Sequence, residues 1–128
     1  MRDLHGETTV VAALVPAVVT ATGNGPAIDL RGYQGIGKII LNCAAAGAGT
    51  NPTMDVKVQD SAANSTDWLD VSPALAFSQV TNADSIQSIG VDTRAVRRYI
   101  RLVKTIGGTS NPSFAMSASL VIESQYKS

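Results

Sequence analysis

The sequence has few of the residues from which catalytic and metal sites are usually built. Its 128 residues include one cysteine, Cys43, and one histidine, His5. A disulfide framework requires at least two cysteines. A nucleophilic role for Cys43 would need a histidine partner, and a histidine-based metal site would have to form without a second imidazole. We therefore predict that the protein is not an enzyme and has no catalytic residues, no cofactor and no metal ion.

Charge is scarce as well, and neither sign is in excess. Ten Lys and Arg balance ten Asp and Glu, and charged residues make up 16% of the chain, below the roughly 25% of an average soluble domain. Domains that bind nucleic acid through phosphate contacts carry an excess of cations, so the composition argues against a nucleic-acid partner. Because 45% of the residues are hydrophobic, the composition also argues against intrinsic disorder.

No hydrophobic run is long enough to cross a membrane. The longest candidate is Val10–Ala21, which is interrupted by Pro16 and falls short of the roughly 20 residues that a spanning helix needs. The residues before it include Asp3 and Glu7 beside Arg2, which is not the cationic start of a secretory signal. We predict no membrane contact, and we expect this apolar segment to pack on its own domain or on a partner.

The hydrophobic pattern predicts β-strands. Met54–Gln59 and Phe114–Glu123 alternate between apolar and mostly polar residues, while Lys38–Cys43 and Tyr99–Ile106 are rich in β-branched residues. No window has the three-to-four-residue period of a helix of ten or more residues, although Pro73–Val80 could form one helical turn. The weaker strand candidates are Ala17–Ala21, Ala27–Arg31, Asp67–Val71 and Ser85–Val91.

Turn-forming residues recur at short intervals between these segments. The predicted breaks are Gly23–Pro26, Gly32–Gly37, Gly47–Pro52, Ser61–Ser65, Thr81–Asp84 and Gly107–Pro112. Short strands at such intervals are typical of antiparallel sandwiches, and the helices that parallel strands need are missing. The expected fold is all-β: an antiparallel, jelly-roll-like β-sandwich with an extended N-terminal arm. Residues 1–25 form this arm or a first edge strand, and residues 26–128 form the sandwich.

The one local concentration of charge is a basic cluster late in the chain. It is a candidate docking site for an acidic protein surface, because arginine binds carboxylates with two parallel hydrogen bonds. Nucleic-acid binding and a solvated strand end neutralised by Asp84 and Asp92 are the two alternatives. The cluster comprises Arg94, Arg97, Arg98, Arg101 and Lys104.

Three other features have both a functional and a structural interpretation. Gly32–Gly37 lacks the spacing of a nucleotide loop and is interpreted as turn or bulge glycines. Trp68 is expected in the core or at an interface, with stacking on a sugar ring as the alternative. The aspartates are expected to cap turns and to lie on solvated strand faces; they are Asp55, Asp60, Asp67, Asp70, Asp84 and Asp92.

Several short segments follow one another in an order that resembles a known group of proteins. These segments are Val10–Ala17, Thr20–Gly25, Ile28–Tyr33, Gln59–Ser61 with Thr66–Trp68, and Arg98–Leu102. Together they resemble small virion proteins of tailed bacteriophages, often encoded close to the major capsid protein, that look like head decoration or cement proteins. The resemblance covers most of residues 8–123. The last two segments also resemble those of discoidin-type and other carbohydrate-binding sandwiches.

The phage resemblance implies a non-enzymatic protein on the capsid exterior, made in the host cytoplasm. Its partner would be the major capsid protein, and it would stabilise the head by bridging neighbouring capsomers. The alternatives are a carbohydrate-binding module on a virion or fibre, with Trp68 or Tyr33 exposed for a glycan, and a tail or connector component. The candidate capsid-contact residues lie in the N-terminal arm and are Leu4, Val10, Val11, Leu14, Val15 and Pro16.

The pattern of two strands also predicts a homo-oligomer, a dimer or a trimer. Lys38–Cys43 has apolar residues on both faces, for example Ile39 and Ile40, and so does Tyr99–Ile106. A strand of a two-layer sandwich normally exposes one face to water. The second apolar face therefore requires a cover, which is either the N-terminal arm or another subunit.

Overall fold

The computed structural model describes residues 8–71 and 75–124, and all regular secondary structure in this part of the chain is β-strand. Every strand pairing is antiparallel, which confirms the expected all-β class. The strands are β1 (Thr8–Val19), β2 (Gly23–Asn24), β3 (Ile28–Asp29), β4 (Tyr33–Cys43), β5 (Ala48–Ser61), β6 (Leu69–Asp70), β7 (Ser85–Asp92) and β8 (Tyr99–Ser124).

The long strand β8 belongs to both layers of the fold. Its first half, Tyr99–Gly107, pairs with β5 on one side and with the short β2 and β3 on the other, and β6 pairs with β5. Its second half lies between β1 and β4, and β7 pairs with β4. The layer that contains the first half of β8 with β2, β3, β5 and β6 is called sheet B. The layer that contains its second half, with the strand order β1-β8-β4-β7, is called sheet A. The curled sheet forms a half-barrel consistent with the expected sandwich.

Several predicted breaks overlap strands: Gly23–Pro26 contains β2, and Gly32–Gly37 overlaps the start of β4. For two others the interpretation as loops between strands was wrong. Gly47–Pro52 falls largely within β5, and Gly107–Pro112 falls within β8. Residues with positive φ, including Asn51 and Asn111, bend the two strands together, and their pairing resumes after register shifts. At Gly108, where φ is +107°, a Cβ would lie 2.7 Å from the carbonyl oxygen of Asn51. These positions turn β8 from sheet B into sheet A.

The glycine-rich segment Gly32–Gly37 was interpreted correctly as turn and bulge glycines. Gly32 lies in a turn with φ +96°, and Gly35, with φ +77°, lies at a register shift between β4 and β8. The helical turn considered for Pro73–Val80 is not formed by the residues described there. Residues 75–80 instead run along β5, with bridges from Ala76 to Lys57 and from Val80 to Met54.

The core lies between the inner faces of the two sheets and is mainly aliphatic. Ile39, Leu41 and Cys43 share the buried face of β4, as their alternation predicts. β8 contributes to the core from both halves, with Ile100 and Leu102 in sheet B and a longer series in sheet A. The buried residues of that series are Phe114, Met116, Ala118, Leu120 and Ile122.

The N-terminal segment is part of sheet A. Of the two possibilities, an arm or a first edge strand, Thr8–Val19 forms the edge strand β1, paired with β8 from Glu123 to Phe114. Its register shifts around Leu14, where Ala13 and Leu14 are both buried. Because the strand contributes side chains to the core, its removal would open the inner face of the sheet.

Candidate functional site

The outer face of sheet A carries few charges, and only one of them lies near its middle. The register aligns Val10 of β1 with Val121 of β8, Val121 with Lys38 of β4, and Lys38 with Gly90 of β7. Lys38 carries this central charge. Two charged residues lie at one end of the face: Asp92 is opposite Ile36, and Glu123 is opposite Thr8 and Gln34. The other side chains considered on this face are Val10, Ala12 and Val18 from β1; Ile36, Ile40 and Asn42 from β4; Ile86, Ser88 and Gly90 from β7; and Ala115, Ser117, Ser119 and Val121 from β8.

Large exposed apolar side chains concentrate on the strands of this sheet. Among the described residues, five such side chains are 67–74% exposed, and all five belong to sheet A: Val10, Val15, Val18, Ile36 and Ile86. Single exposed apolar residues are common on soluble proteins. Their occurrence on one sheet, with serine, alanine and glycine between them, is less usual and makes this face the candidate contact surface.

The predicted capsid-contact residues are divided between the two sides of β1. Val10, Val15 and Pro16 are exposed, Val11 is half-buried, and Leu14 is buried in the core. Leu4, also predicted, lies outside the described residues. The strand thus offers part of the predicted set to a partner and uses the rest for its own fold. An open groove of about 310 Å³ lies beside the exposed part, lined by Pro16, Ala17, Val18, Asn42, Ala44, Ala115, Met116 and Ser117.

The basic cluster lies in and next to sheet B, and Arg97 is its most strongly held member. The Nε of Arg97 donates to the carboxylate of Asp60 at 3.1 Å, and its Nη1 donates to the carboxylate of Asp67 at 3.0 Å. Its Nη2 also donates to the backbone carbonyl oxygens of both aspartates. Asp60 is buried at 8% exposure. Arg97 therefore fixes the loop after β5 and leaves little hydrogen-bonding capacity for a partner.

The other basic residues of the cluster differ in the number and kind of hydrogen bonds and ion pairs that their side chains form. Arg98 forms a two-bond ion pair with Asp29, and Arg94 pairs with Asp92. Arg101 donates to Gln59. Lys104 has no ion-pair partner among the described residues. The expectation that nearby aspartates neutralise this region holds for Asp92, whereas Asp84 is used elsewhere, accepting a hydrogen bond from the backbone N–H of Ala45.

Hydrogen bonds to three aspartates, of which Asp29 and Asp70 are exposed and Asp92 is half-buried, lower their pKa values. The guanidinium of Arg98 holds the pKa of Asp29 below its ordinary value, chiefly through its hydrogen bonds. The amide of Gln59 and the ammonium of Lys57 do the same for the pKa of Asp70. The backbone N–H of Arg94 lowers the pKa of Asp92 as a turn cap. These aspartates thus serve the fold, in line with the turn-capping and strand-face roles expected for Asp70 and Asp92.

The aromatic residues considered for glycan binding have different surroundings. Trp68 is half-buried, and the guanidinium of Arg101 lies 4.4 Å from the centre of its ring, so that one ring face is covered. Tyr33 is half-buried at the end of sheet A. It lines an open cleft of about 670 Å³ together with Gln34, Gly35, Ile36, Thr93, Arg94 and Glu123.

Cys43 is buried, and the described acidic residues form no group that could hold a metal ion. Burial raises the pKa of the Cys43 thiol, and the charge of Asp84 adds to this effect, so the thiol is held in its unreactive form. Across residues 8–71 and 75–124, no three His, Cys, Asp or Glu side chains lie close enough together to hold a metal ion. The same residues contain no helix that could cross a membrane.

Sequence reasoning found part of the outer face of sheet A and missed its β7 side. Ile40 was identified as a residue on a second apolar face, and it lies half-buried on this surface. Ile36 was included in the glycine-rich turn, and Ile86 in a weak strand candidate. The signal for Ile86 is the alternation in Ser85–Val91, which places it on the same face as Ser88 and Gly90.

Comparisons with known proteins find similar folds and no similar sequence. No protein-family model matches the chain, and no curated protein sequence matches it. The SPBc2 prophage-derived protein YomS has a similar fold, with a TM-score of 0.51 and 8% identity over 91% of this chain and 93% of YomS. A chain in the structure of infectious bursal disease virus, Gx strain, matches with a TM-score of 0.52 and 11% identity over 92% of this chain and 32% of the viral chain.

Proposed function

We propose that this protein is a structural component of a bacteriophage virion that binds the outer capsid surface and stabilises the head as a decoration or cement protein. Its partner would be the major capsid protein. The observation that carries the proposal is the outer face of sheet A, which has one charge near its middle and exposed apolar side chains of β1, β4 and β7 around a floor of small residues.

This face suits contact with a broad protein surface. Docking would remove apolar side chains such as Val10 and Val18 from water, which is favourable in proportion to the area buried. A partner centred on this face would desolvate one charge near its middle, that of Lys38, while Asp92 and Glu123 at one end would lie at the rim. Interface cores are depleted in charged residues, and interface rims are polar. The face spans four strands at about 4.8 Å spacing, which makes it about 15 Å wide.

The fold comparisons support a viral context. One similar fold belongs to a prophage-derived protein and another to a chain of a virus. The resemblance of Val10–Ala17 and Arg98–Leu102 to phage virion proteins points in the same direction. Copies on a repeating lattice would also combine modest single contacts into strong attachment through avidity.

The alternative of glycan binding has less support. An exposed indole face is what sugar stacking uses, and Arg101 lies over one face of Trp68. We therefore favour the outer face of sheet A over the aromatic residues as the functional surface.

The proposal is tested by adding the purified protein to phage capsids that lack it and locating it by electron microscopy. We expect density on the capsid exterior. The double variant Val10→Glu/Val18→Glu should bind at least tenfold more weakly, because two carboxylates would have to be desolvated, at a cost above the roughly 1.4 kcal/mol that a tenfold change represents. The controls are the single variant Val10→Glu and the variant Thr105→Glu, which each add one carboxylate; Thr105 is exposed on the outer face of sheet B.

Two results would overturn the proposal. Density at the tail or connector, or no binding to the shell, would remove the head-decoration role. Equal binding by Val10→Glu/Val18→Glu and the native protein, with loss in Thr105→Glu, would move the contact to sheet B. Circular dichroism and urea unfolding of each variant confirm that the change lies in binding and not in folding.

A further inference from the structure

The two edges of sheet A differ in their protection against pairing with another strand. β1 and β7 form these edges, and within the described residues each pairs along one side only. Proteins commonly protect such edges with bulges, proline or charge. β1 has two register shifts and contains Pro16. β7 pairs with β4 through eight consecutive residue pairs without a shift, and Ser85–Val91 contains no proline and no charge.

The edge at β7 also carries exposed apolar side chains. Ile86 is 74% exposed and Ile36 is 70% exposed. Ile36 lies beside β7, since a Cβ built on Gly90 would be 3.5 Å from its Cγ2 atom. The regular, uncharged edge therefore coincides with the two most exposed large apolar side chains of the described residues.

We propose that this edge binds a second copy of the same chain, with the two β7 strands pairing antiparallel across a two-fold axis at Ser88. In an antiparallel pair, directly opposite residues share a face of the sheet. An axis at Ser88 aligns Ile86 with Gly90 of the second copy, and both positions are on the outer face. It also pairs the whole uncharged run Ser85–Val91 with itself. One position beyond this run, Asp92 faces Asp84 of the second copy. The charge of Asp92 is offset by its ion pair with Arg94 of its own chain, and Asp84 accepts a hydrogen bond from the backbone N–H of Ala45.

Neighbouring registers fit less well. An axis at Ile89 would place Ile86 opposite Asp92, which sets an apolar side chain against a carboxylate. An axis at Gln87 would place Gly90 opposite Asp84, although that carboxylate already accepts a hydrogen bond from Ala45. The register at Ser88 avoids both and places a large side chain where glycine leaves space.

The inner side of β7 is already closed by its own chain. The amide of Gln87 donates to the carbonyl oxygen of Ser78 at 2.9 Å and accepts from its backbone N–H at 2.8 Å. These two bonds hold residues 75–80 beneath the strand. What β7 leaves available is its in-plane edge and the outer side chains, and a second β7 strand satisfies both.

The size of the contact predicts a weak dimer. A seven-residue ladder is about 24 Å long, and with a sheet thickness of about 10 Å it presents roughly 240 Å² per copy. Stable complexes bury about 800 Å² per partner. We therefore expect reversible, concentration-dependent dimers, in which Ile36 and Ile86 add apolar area. This inference does not depend on the virion role, because it concerns the purified chain in solution.

The first test is sedimentation velocity over a micromolar to millimolar concentration series. We expect the native chain to shift from monomer to dimer. Ser88→Lys should abolish the shift, because the two-fold axis would bring two like charges together. Ala12→Lys is the matched control, since it places the same charge at an exposed position on the opposite edge strand, and it should dimerise like the native chain. A native chain that stays monomeric, or a Ser88→Lys variant that still dimerises, would overturn the proposal.

The second test reads the register directly and does not require disruption of the edge. Opposite residues in an antiparallel ladder have Cα atoms about 4.5–5.5 Å apart, within the range of a disulfide. Ser88→Cys should therefore form a covalent dimer under mild oxidation, while Ala12→Cys should not. The native Cys43 is buried and does not compete. Dimerisation without this cross-link, or cross-linking through Ala12→Cys instead, contradicts the β7 interface.

Discussion

The two halves of β8 present very different surfaces although they are one continuous strand. On the outer face of sheet B, Arg101 bonds to Gln59 and covers Trp68, and Lys57 pairs with Asp70 next to it. On the outer face of sheet A, β8 contributes alanine, serine and valine, with one charged residue, Glu123, at the end of the face. The charges of sheet B are largely paired with each other, so they shape the protein itself. The middle of the outer face of sheet A carries only the charge of Lys38, and the Asp92–Arg94 ion pair lies at its end.

The outer faces of the two sheets differ, whereas their inner faces are expected to contribute equally to the stability of one core. Truncation of a core leucine in each sheet tests this. Leu102 in sheet B and Leu120 in sheet A are both fully buried. Leu102→Ala and Leu120→Ala should each lower the free energy of unfolding by about 2–5 kcal/mol, through lost burial and the cavity left behind. Urea unfolding measures both, and alkylation of Cys43 reports when the inner face of sheet A opens. A loss below 1 kcal/mol at either site would show that the sheets do not share one core.

The ion-pair network of sheet B should contribute next most. Arg97→Ala removes the guanidinium that bonds to the buried carboxylate of Asp60. The backbone N–H of residue 97 still donates a hydrogen bond to that carboxylate. We expect a loss of about 2–4 kcal/mol, because an unpaired buried charge is costly. Arg94→Ala is the control, since its side chain is 83% exposed, and it should change stability by less than about 0.5 kcal/mol. Equal effects in urea unfolding would contradict the distinction between them.

The pH dependence of stability sharpens the same contrast. The folded-state pKa values of Asp29 and Asp70 lie below the ordinary 3.8, so the unfolded chain binds these protons more tightly. The contribution of these two carboxylates to the free energy of unfolding is therefore complete above pH 3.8, and it is lost as the pH falls through the lowered pKa values. The urea concentration at the unfolding midpoint should therefore decrease as the pH is lowered below 4. This decrease should be less steep in the double variant Asp29→Asn/Asp70→Asn. Asn42→Ala, on the outer face of sheet A, should show the same dependence of the urea midpoint on pH as the native protein. If its dependence equals that of the double aspartate variant, the pH effect does not come from Asp29 and Asp70.

The smallest effect is expected on the outer face of sheet A itself. Val10→Thr and Val18→Thr change exposed side chains and should alter the free energy of unfolding by no more than about 0.5 kcal/mol. Arg101→Ala, on the outer face of sheet B, should cost about 1 kcal/mol through lost hydrogen bonds and ring contact. Stability measured in the same urea series distinguishes the two faces. A large loss from the valine variants would mean that this face already supports the monomer.

The strands with regular alternation were predictable, and the bends between the sheets were not. Met54–Gln59 and Phe114–Glu123 lie in β5 and β8 as expected, because period-two alternation directly reflects one buried face. Gly107–Pro112 was interpreted as a loop because its composition is that of a turn. Composition does not distinguish a turn that ends a strand from a bulge within one, since both use residues with positive φ.

The candidate site was only partly predictable for a similar reason. The basic cluster is visible in the sequence, but its aspartate partners are far away along the chain: Arg98 pairs with Asp29, and Arg97 with Asp60. Similarly, the N-terminal apolar segment was recognisable, yet its alternation is irregular, and the bulges around Leu14 decide which side chains enter the core. The apolar residues of this segment were therefore all assigned to partner contact, whereas some of them are exposed and others pack in the core.

The sequence by itself determined the all-β class, the principal strands and the burial of Cys43, because these depend on local alternation of apolar and polar residues. Tertiary structure alone decided which surface is free. Pairing brings β1, β4, β7 and the second half of β8 together from distant parts of the chain, so that isolated apolar residues such as Ile36 and Ile86 come to lie on one face of the same sheet. It also pairs three of the five basic residues of the cluster, Arg94, Arg97 and Arg98, with aspartates. Surface charge and exposure depend on such long-range contacts, which local pattern does not encode.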